Sequence, residues 1–269
     1  MGRTGPPADD EPWPRLWWCP VGPCAFLPLH AAGRHNEGTH DTVMDRVVSS
    51  YTSTIRALAH ARGPRPGPSE APSTLVISVP DAPGTAPLPG AVVEADLLTQ
   101  LLPATKVLPS PGRATVTAAL PHHEIAHFAC HGVADLRAPA DSRLLLRDHL
   151  DQPFTVAAIS RLRLDRSELA YLSACSTTDT TARHADEAVH VTAAFQLAGY
   201  RSVVGTLWPI NDRAAVTIAR DFYTHLTRPC TTSPDPTTAA TALHHAVHAH
   251  RARHPALPIQ WASHIHHGP

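Results

Sequence analysis

The chain has 269 residues, enough to bury a full hydrophobic core as one large α/β domain or, as the weaker alternative, as two small ones. Its 22 Lys and Arg residues nearly balance 23 Asp and Glu residues, so the net charge favours neither nucleic-acid nor membrane binding. The sequence has no apolar run of the roughly eighteen residues that a membrane span requires, and residues 1–14 lack the apolar core of a signal peptide. These features predict a cytoplasmic location.

Histidine is abundant, and the cysteines do not form an even set. The 20 His residues include clusters at residues 122–123, 244–245 and 264–267. We expect most of them on the solvated surface, where they would become charged below about pH 6.5. Five Cys residues are an odd number, and two of them lie in apolar segments. That pattern is typical of a reducing compartment rather than of a disulfide scaffold.

The first quarter of the chain predicts a tail followed by short elements. Residues 1–14 are polar and Pro-rich, which predicts a disordered tail before a single domain at residues 15–269. Residues 16–19 and 24–29 predict two strands of a hairpin around a Pro-Val-Gly-Pro turn. A further strand at residues 45–49 and a helix at residues 52–62 are then predicted from their apolar spacing.

From residue 74 onward, apolar segments alternate with helical ones, after a Pro-rich linker at residues 63–73. Strands are predicted at residues 74–79, 125–130, 143–146, 169–173 and 201–207. Helices are predicted at residues 91–102, 113–120, 156–161, 187–198, 213–226 and 238–253. A long turn-rich loop is predicted at residues 80–89, at the carboxyl end of the strand 74–79. This alternation indicates an α/β fold with a parallel sheet covered on both faces.

Two of the predicted strands lead directly into a reactive side chain. His131 follows the apolar segment 125–130, and Cys175 follows the segment 169–173. The carboxyl ends of neighbouring parallel strands open onto one crevice, where catalytic groups collect. The 44 positions between His131 and Cys175 leave room for a crossover connection. A histidine base and a thiol nucleophile that meet there would form the site of a cysteine hydrolase.

These residues also allow other interpretations. Cys175 could be an inert core thiol, and His131 a structural histidine that bonds a loop carbonyl. We expect Cys130 in the core, because successive side chains of a strand point to opposite faces, and His127 in a core or supporting role deeper along the strand. The spacings offer no Cys-x-x-Cys pair, no His-Glu-x-x-His helix and no Gly-x-Ser-x-Gly elbow. Neither a metal, another cofactor nor a serine nucleophile is therefore predicted.

Five motifs occur in order along the chain. They are Trp-Trp-Cys-Pro at residues 17–20 with Phe-Leu-Pro-Leu-His-Ala-Ala-Gly at 26–33, His-Phe-Ala-Cys-His-Gly at 127–132, Leu-Ser-Ala-Cys at 172–175, Gly-Thr-Leu-Trp-Pro-Ile-Asn-Asp at 205–212, and Ile-His-His-Gly-Pro at 265–269. Together they resemble the CHAT family of caspase-like cysteine peptidases, from about residue 16 to residue 269. Two features depart from the family pattern: the Ser- and Thr-rich segment 176–181 stands where relatives are Gly-rich, and His267 stands where they carry an apolar residue.

The resemblance implies a caspase-like three-layer α/β/α sandwich with a mostly parallel central sheet. It also implies a dyad in which His131 is the base and Cys175 the nucleophile. The backbone N–H groups of Gly132 and Cys175 would then stabilise the oxyanion. In relatives this domain often follows tetratricopeptide repeats. The present sequence has none, so a recognition or activating module is expected to be missing or to be a separate protein.

The side chains expected to border the cleft are Ser173, Asp186, Trp208 and Asp212. Trp208 could instead be an apolar plug, and Asp212 the N-cap of the following helix. The function predicted is a cysteine endopeptidase that cleaves a specific protein substrate through a thioester acyl-enzyme. A catalytically silent CHAT scaffold and a non-proteolytic thiol acyltransferase remain as alternatives. Because carboxylates outnumber arginines after the nucleophile and the third strand, we expect a basic or apolar P1 residue rather than Asp.

Overall fold

The computed structural model describes residues 6–8, 11–35, 41–64, 67, 69–133, 135, 137–173, 175–176, 185–227 and 233–269, but not the side chains of residues 175–176 and 185–190. Residues 1–5 and 9–10 of the predicted tail lie outside this description. At the end of that tail, the Trp13 ring lies 4.4 Å from the His244 ring, and the Pro14 carbonyl accepts a hydrogen bond from the Val48 N–H. The predicted limits of the domain stay a prediction.

Strands and helices alternate over most of the described chain. The strands are β1 (Arg15–Trp18), β2 (Gly33–Arg34), β3 (Asp41–Thr42), β4 (Val48–Tyr51), β5 (Thr74–Ser78), β6 (Thr105–Pro109), β7 (Ile125–Ala129), β8 (His131–Val133), β9 (Arg143–Leu145), β10 (Phe154–Thr155), β11 (Leu169–Leu172), β12 (Cys175–Ser176), β13 (Ser202–Thr206) and β14 (His264–His267). The helices are α1 (Ile55–Ala61), α2 (Gly90–Leu101), α3 (Arg113–Ala119), α4 (Val156–Ile159), α5 (Ala185–Ala198), α6 (Asp212–Leu226), α7 (Ala239–Arg253) and α8 (Pro258–Trp261).

The central sheet has the strand order β1-β4-β14-β13-β11-β7-β5-β6. All of its neighbouring pairs are parallel except β13 with β14, which are antiparallel. The sheet is therefore mostly parallel, as predicted. The predicted strands β5, β7, β11 and β13 lie next to one another in its middle. They are mostly apolar and buried along almost their whole length, because both faces of the sheet are covered by helices.

Side chains alternate between the two faces of the sheet and enter two separate cores. On one face, Val76, Ile125 and Tyr171 pack with residues of α2, α6 and α7. On the other, Ile77 and Phe128 pack with residues of α3, α4 and α5. A sheet between two helical layers is the α/β/α sandwich that the sequence predicted. Within the part of the chain that the structure describes, every helix is too short or too polar to cross a membrane.

A second, smaller sheet lies beyond the carboxyl ends of two central strands. It has the order β10-β9-β8-β12, in which β8 and β12 are parallel and the other pairs are antiparallel. Only Cys130 separates β8 from β7, and β12 begins three residues after β11 ends. The two central strands that the sequence singled out are thus each interrupted and then continue in a second sheet. Cys130 itself is fully buried, which confirms its expected place in the core.

One predicted element is wrong, and two strands were missed. The predicted hairpin does not form: Gly22–Phe26 is a 3-10 helix, and β1 pairs in parallel with β4 instead. The half-buried strand β6 at the sheet edge was missed, because its Thr-Lys-Val-Leu-Pro sequence is short and contains a charge and a proline. β14 was also missed, because a His-Ile-His-His sequence does not have the composition of a buried strand.

The expectation that most histidines lie on the surface is wrong as well. Nine of the described histidines are buried: His30, His127, His131, His149, His244, His250, His264, His266 and His267. Several of them surround β14 at the β4 side of the sheet. Burial lowers the pKa of His30 and His267 to about 4 and that of His264 to about 3. These imidazoles are therefore neutral in the folded protein at neutral pH, and a neutral imidazole is cheaper to bury than a charged one.

We expect the protein to lose stability steeply as the pH falls from about 6.5 towards 4. In that range the unfolded chain protonates imidazoles of ordinary pKa 6.5, whereas the buried ones stay neutral until about pH 4 or below. The unfolded state then binds more protons, and each such histidine lowers the free energy of unfolding by up to about 1.4 kcal/mol per pH unit. Urea unfolding at pH 7.5, 6 and 5 measures the slope.

His267 offers a specific variant for this test, because neither of its ring nitrogens has a hydrogen-bond partner among the described residues. His267→Leu should stabilise the protein, and more so at pH 5 than at pH 7.5, since an unsatisfied polar group is replaced by an apolar one. The control is His122→Gln at an exposed position, which should leave the slope unchanged. A slope that is the same in wild type and His267→Leu would contradict the prediction.

Candidate active site

The pairing of β7 with β11 is carried across the break into the second sheet. Leu172 lies opposite Phe128, and the Ser173 N–H donates to the Phe128 carbonyl at 2.9 Å. Beyond the break, Cys175 lies opposite His131, again 44 positions away along the chain. Neighbouring strands lie about 5 Å apart, so the backbones of the two predicted dyad residues are adjacent. Gly132, the residue after His131, lies opposite Ser176.

The imidazole of His131 is buried and held by a loop. Its Nε2–H donates to the carbonyl oxygen of Ala86 at 2.8 Å. Because a carbonyl can only accept, Nε2 carries the proton, and Nδ1 is the nitrogen with the lone pair when the ring is neutral. Ala86 lies in the loop after β5, which is closed by a hydrogen bond from the Leu88 N–H to the Pro80 carbonyl at 2.7 Å. The loop thus fixes both the ring and its tautomer.

Ser173 belongs to a buried chain of polar side chains. Its hydroxyl donates to Glu94 Oε1 at 2.9 Å, and the other carboxylate oxygen, Oε2, accepts from His127 Nε2 at 2.6 Å. The Tyr223 hydroxyl lies 3.2 Å from His127 Nδ1, and the His127 ring stacks on that of Tyr171. Burial, and then the negative charge of Glu94, raises the pKa of the Tyr223 phenol well above its ordinary value. His127 has the core, supporting position that was expected.

Asp212 and Trp208 both contact backbone groups of the domain. Asp212 is the first residue of α6, and its Oδ2 accepts the N–H of Gly90, the first residue of α2, at 2.8 Å. The N-cap of α6 is Asn211, whose side chain accepts the Arg213 N–H, and not Asp212. The indole N–H of Trp208 donates to the Ile259 carbonyl at 2.7 Å, and its half-buried ring packs against the core.

The side chains of Asp186 and Cys175 lie outside the described part of the structure, and so do residues 177–184. The backbone positions of Cys175 and His131 are brought together, and Ser173 lies just before the nucleophile. Asp212 reaches the start of α2, four residues after Ala86. The roles assigned to these residues and to Gly132 stay predictions.

Sequence reasoning missed Glu94 and the Ala86 carbonyl. A signal for Glu94 was present, because Ala91, Glu94, Ala95 and Leu98 are the positions that α2 buries, at helical spacing. A carboxylate on such a face needs hydrogen-bonding partners. Nothing in the sequence indicates that the partners are Ser173 and His127. The contact of Ala86 with His131 involves a backbone atom, so its residue type carries no signal.

A metal site needs several ligand side chains close together. Among the residues that the structure describes, no three His, Cys, Asp or Glu side chains form a group that could hold a metal ion. The chemistry available at the site is that of a thiol, an imidazole and backbone N–H groups. That no cofactor takes part stays a prediction.

A family model, the CHAT domain, matches residues 3–269. The chain belongs to the CHAT domain family. This confirms the resemblance on which the expected fold was based. No curated protein sequence matches this CHAT domain chain significantly.

Solved structures resemble the CHAT domain chain in fold. A chain of the Saccharomyces cerevisiae separase–securin complex gives a TM-score of 0.58 at 13% identity, over 91% of this chain and 15% of that chain. The complex of Porphyromonas gingivalis RgpB pro- and mature domains gives 0.52 at 13% identity, over 84% and 56%. The Arg-specific cysteine proteinase gingipain R gives 0.51 at 11% identity, over 84% and 55%. The chain spans well under two thirds of each, and the likeness shows the caspase-like fold.

We expect Asp212→Ala to lower the free energy of unfolding of this CHAT domain chain by about 1 kcal/mol, because it removes a carboxylate that bonds the first N–H of α2. Asp212→Asn keeps an acceptor without the charge and should cost less. Gly90→Ala should also destabilise, since a Cβ there would overlap the Asp212 carboxylate. Urea unfolding measures all three. Unchanged stability in Asp212→Ala, with loss of cleavage only after basic residues, would favour the substrate-binding role instead.

Proposed function

We propose that the protein is a cysteine endopeptidase in which His131 and Cys175 form the catalytic dyad. The observation that carries this proposal is the parallel pairing of Cys175 with His131 in the second sheet. Membership of the CHAT family and the fold shared with cysteine peptidases support it. The tautomer of His131 supports it further, because Nδ1 then carries the lone pair that a general base needs.

The chemistry of the proposed reaction has two halves. The sulfur of Cys175 attacks the peptide carbonyl, and the carbon–nitrogen bond breaks as the leaving amine takes a proton through His131. A thioester acyl-enzyme remains. Water then attacks this thioester, with His131 accepting its proton, and releases the acid product and the thiol. The backbone N–H groups of Gly132 and Cys175 are the donors we propose for the oxyanion.

The substrate we propose is a protein. We also propose that a separate recognition or activating protein is a partner. The related structures favour this class, since one is a separase–securin complex and another is a complex of pro- and mature domains of RgpB. A cytoplasmic location also remains our proposal. Charge balance over the whole sequence gives no reason to expect nucleic acid or a membrane as a partner.

We expect Cys175→Ala and His131→Ala each to lower peptide cleavage by at least about 10³-fold, because the two side chains act as one unit. Their double variant should be little worse than either single variant. Cleavage of a peptide library, followed by mass spectrometry, measures the rates, and labelling of Cys175 by an electrophilic peptide probe reports an open site.

The matched control is Cys130→Ala, which removes a buried thiol that lies next to His131 in the sequence. It should cost roughly 1 kcal/mol of stability through lost packing and keep most of the activity. Retention of activity by Cys175→Ala would end the peptidase proposal. Absence of both probe labelling and cleavage would favour a silent scaffold, and a transferred acyl group as product would favour an acyltransferase.

We also expect cleavage after Asp to be disfavoured and P1 to be basic or apolar. A pocket that selects Asp needs arginines that hold a carboxylate through two hydrogen bonds. Around the proposed nucleophile the sequence instead supplies Asp179, Asp186, Glu187 and Asp212. The same peptide library gives the P1 preference of the wild type. A dominant Asp at P1 would refute the expectation.

A further inference from the structure

A buried carboxylate lies beneath the two segments that carry the proposed dyad. Glu94 is 2% exposed, and its partners are side chains of two neighbouring strands: Ser173 after β11 and His127 in β7. Burying a carboxylate is costly unless it is hydrogen-bonded, and here each oxygen accepts one bond from a side chain. Both oxygens of this interior carboxylate are therefore hydrogen-bonded, one to each of the two neighbouring segments.

The hydrogen bond from Ser173 to Glu94 matters because Ser173 lies close to the proposed nucleophile in the chain. Ser173 lies two residues before Cys175, in the short segment between the central sheet and the second sheet. Its N–H is bonded to the Phe128 carbonyl of β7, and its hydroxyl to Glu94 of α2. Ser173 is thus held from both its backbone and its side chain. Its two bonds fix the position from which the chain departs towards Cys175.

The same helix is connected to the other half of the dyad. α2 begins at Gly90, four residues after Ala86, whose carbonyl accepts the His131 Nε2–H. The first N–H of α2 is bonded to Asp212, so the start of the helix is fixed against α6. α2 therefore lies between two hydrogen bonds, one that orients His131 and one that anchors the segment leading to Cys175.

We propose that Glu94 is a positioning residue which, through its hydrogen bond to Ser173, holds Cys175 in register with His131. This inference rests on the proposed function, since it assumes that the two residues form a dyad. Glu94 itself lies beneath the site, reaches it only through Ser173, and takes no part in bond making. Without its carboxylate, Ser173 keeps only its backbone bond, and the segment towards Cys175 can shift relative to β8. A displacement of about 1 Å is enough to slow a positioned reaction by roughly 10²-fold.

The test measures the reactivity of Cys175 itself, so that no substrate is needed. Iodoacetamide alkylates each folded variant between pH 5.5 and 9, and mass spectrometry of the digested protein resolves the rate at each cysteine. The variants are Glu94→Gln, which keeps the size of the side chain and removes its charge, and Ser173→Ala, which removes one hydroxyl. Cys19 is exposed and serves as the internal reference in every sample.

His131→Ala shows how far the alkylation rate of Cys175 falls when the proposed dyad is lost. Only the thiolate reacts with iodoacetamide, so removing the imidazole that accepts the thiol proton should lower the rate at Cys175 near pH 7 by about 10-fold. We expect Glu94→Gln and Ser173→Ala each to lower that rate by at least about 3-fold and to move the pH profile in the same direction. Their double variant should be no slower than the slower single one, because Glu94→Gln weakens the hydrogen bond that Ser173→Ala removes.

Tyr223→Phe is the matched control. It removes one hydroxyl from the far side of His127 and leaves the bond between Glu94 and Ser173 in place. Thermal melts of all variants report the loss of stability, and Tyr223→Phe should lose stability without a change in the rate at Cys175. A purely structural role of Glu94 would give the same pattern for Glu94→Gln as for Tyr223→Phe.

The outcomes separate the two proposals. If His131→Ala slows Cys175 while Glu94→Gln and Ser173→Ala do not, the positioning role is overturned and the dyad stands. If His131→Ala leaves Cys175 unchanged, the dyad is overturned, and the positioning role falls with it. Should Glu94→Gln fail to fold, Ser173→Ala alone decides, because it removes the donor of the hydrogen bond to Glu94 and leaves the carboxylate in place.

Discussion

The candidate site depends on the register between β7 and β11. These two strands are paired over four positions in the central sheet, and the offset between them is kept when they resume as β8 and β12. A slip of one residue in the central sheet would turn every side chain of the slipped strand to the other face. The two cores prevent this, because the apolar side chains of both faces are buried. The packing of the central sheet thus determines which residue lies opposite His131, although His131 itself is in the second sheet.

Helix α2 connects the two central strands to the candidate site through hydrogen bonds. Its buried face carries one carboxylate among apolar residues, and that carboxylate bonds both neighbouring strands. Gly90 at its first position has no side chain, which leaves room for the Asp212 carboxylate. The helix is therefore fixed at its start by a charge and along its length by hydrogen bonds and apolar packing. Each contact restricts a different movement of the loop at residues 80–89 relative to the strands.

The sequence predicts the central strands and fails where composition and burial disagree. Ile125–Ala129 and Leu169–Leu172 were found because they are short, apolar segments flanked by polar ones. β14 was missed because histidine is a polar residue, although its neutral form can be buried. Gly22–Phe26 was predicted as part of a hairpin from local turn residues, but long-range pairing places β1 beside β4. The bond between Glu94 and Ser173 spans 79 positions. No local pattern can indicate such a contact.

The position of β14 in the sheet has a consequence for how the protein folds. β14 follows every other strand in sequence, yet it lies in the interior of the sheet, between β13 and β4. β1 and β4 are synthesised first, but they can join the remaining strands only once β14 has been made and inserted between them. During synthesis the edge of β4 that β14 will cover therefore stays unpaired, and an unpaired edge invites association with other chains. Because the pairing of β4 with β14 joins distant parts of the chain, we expect the central sheet to be completed slowly and late in folding.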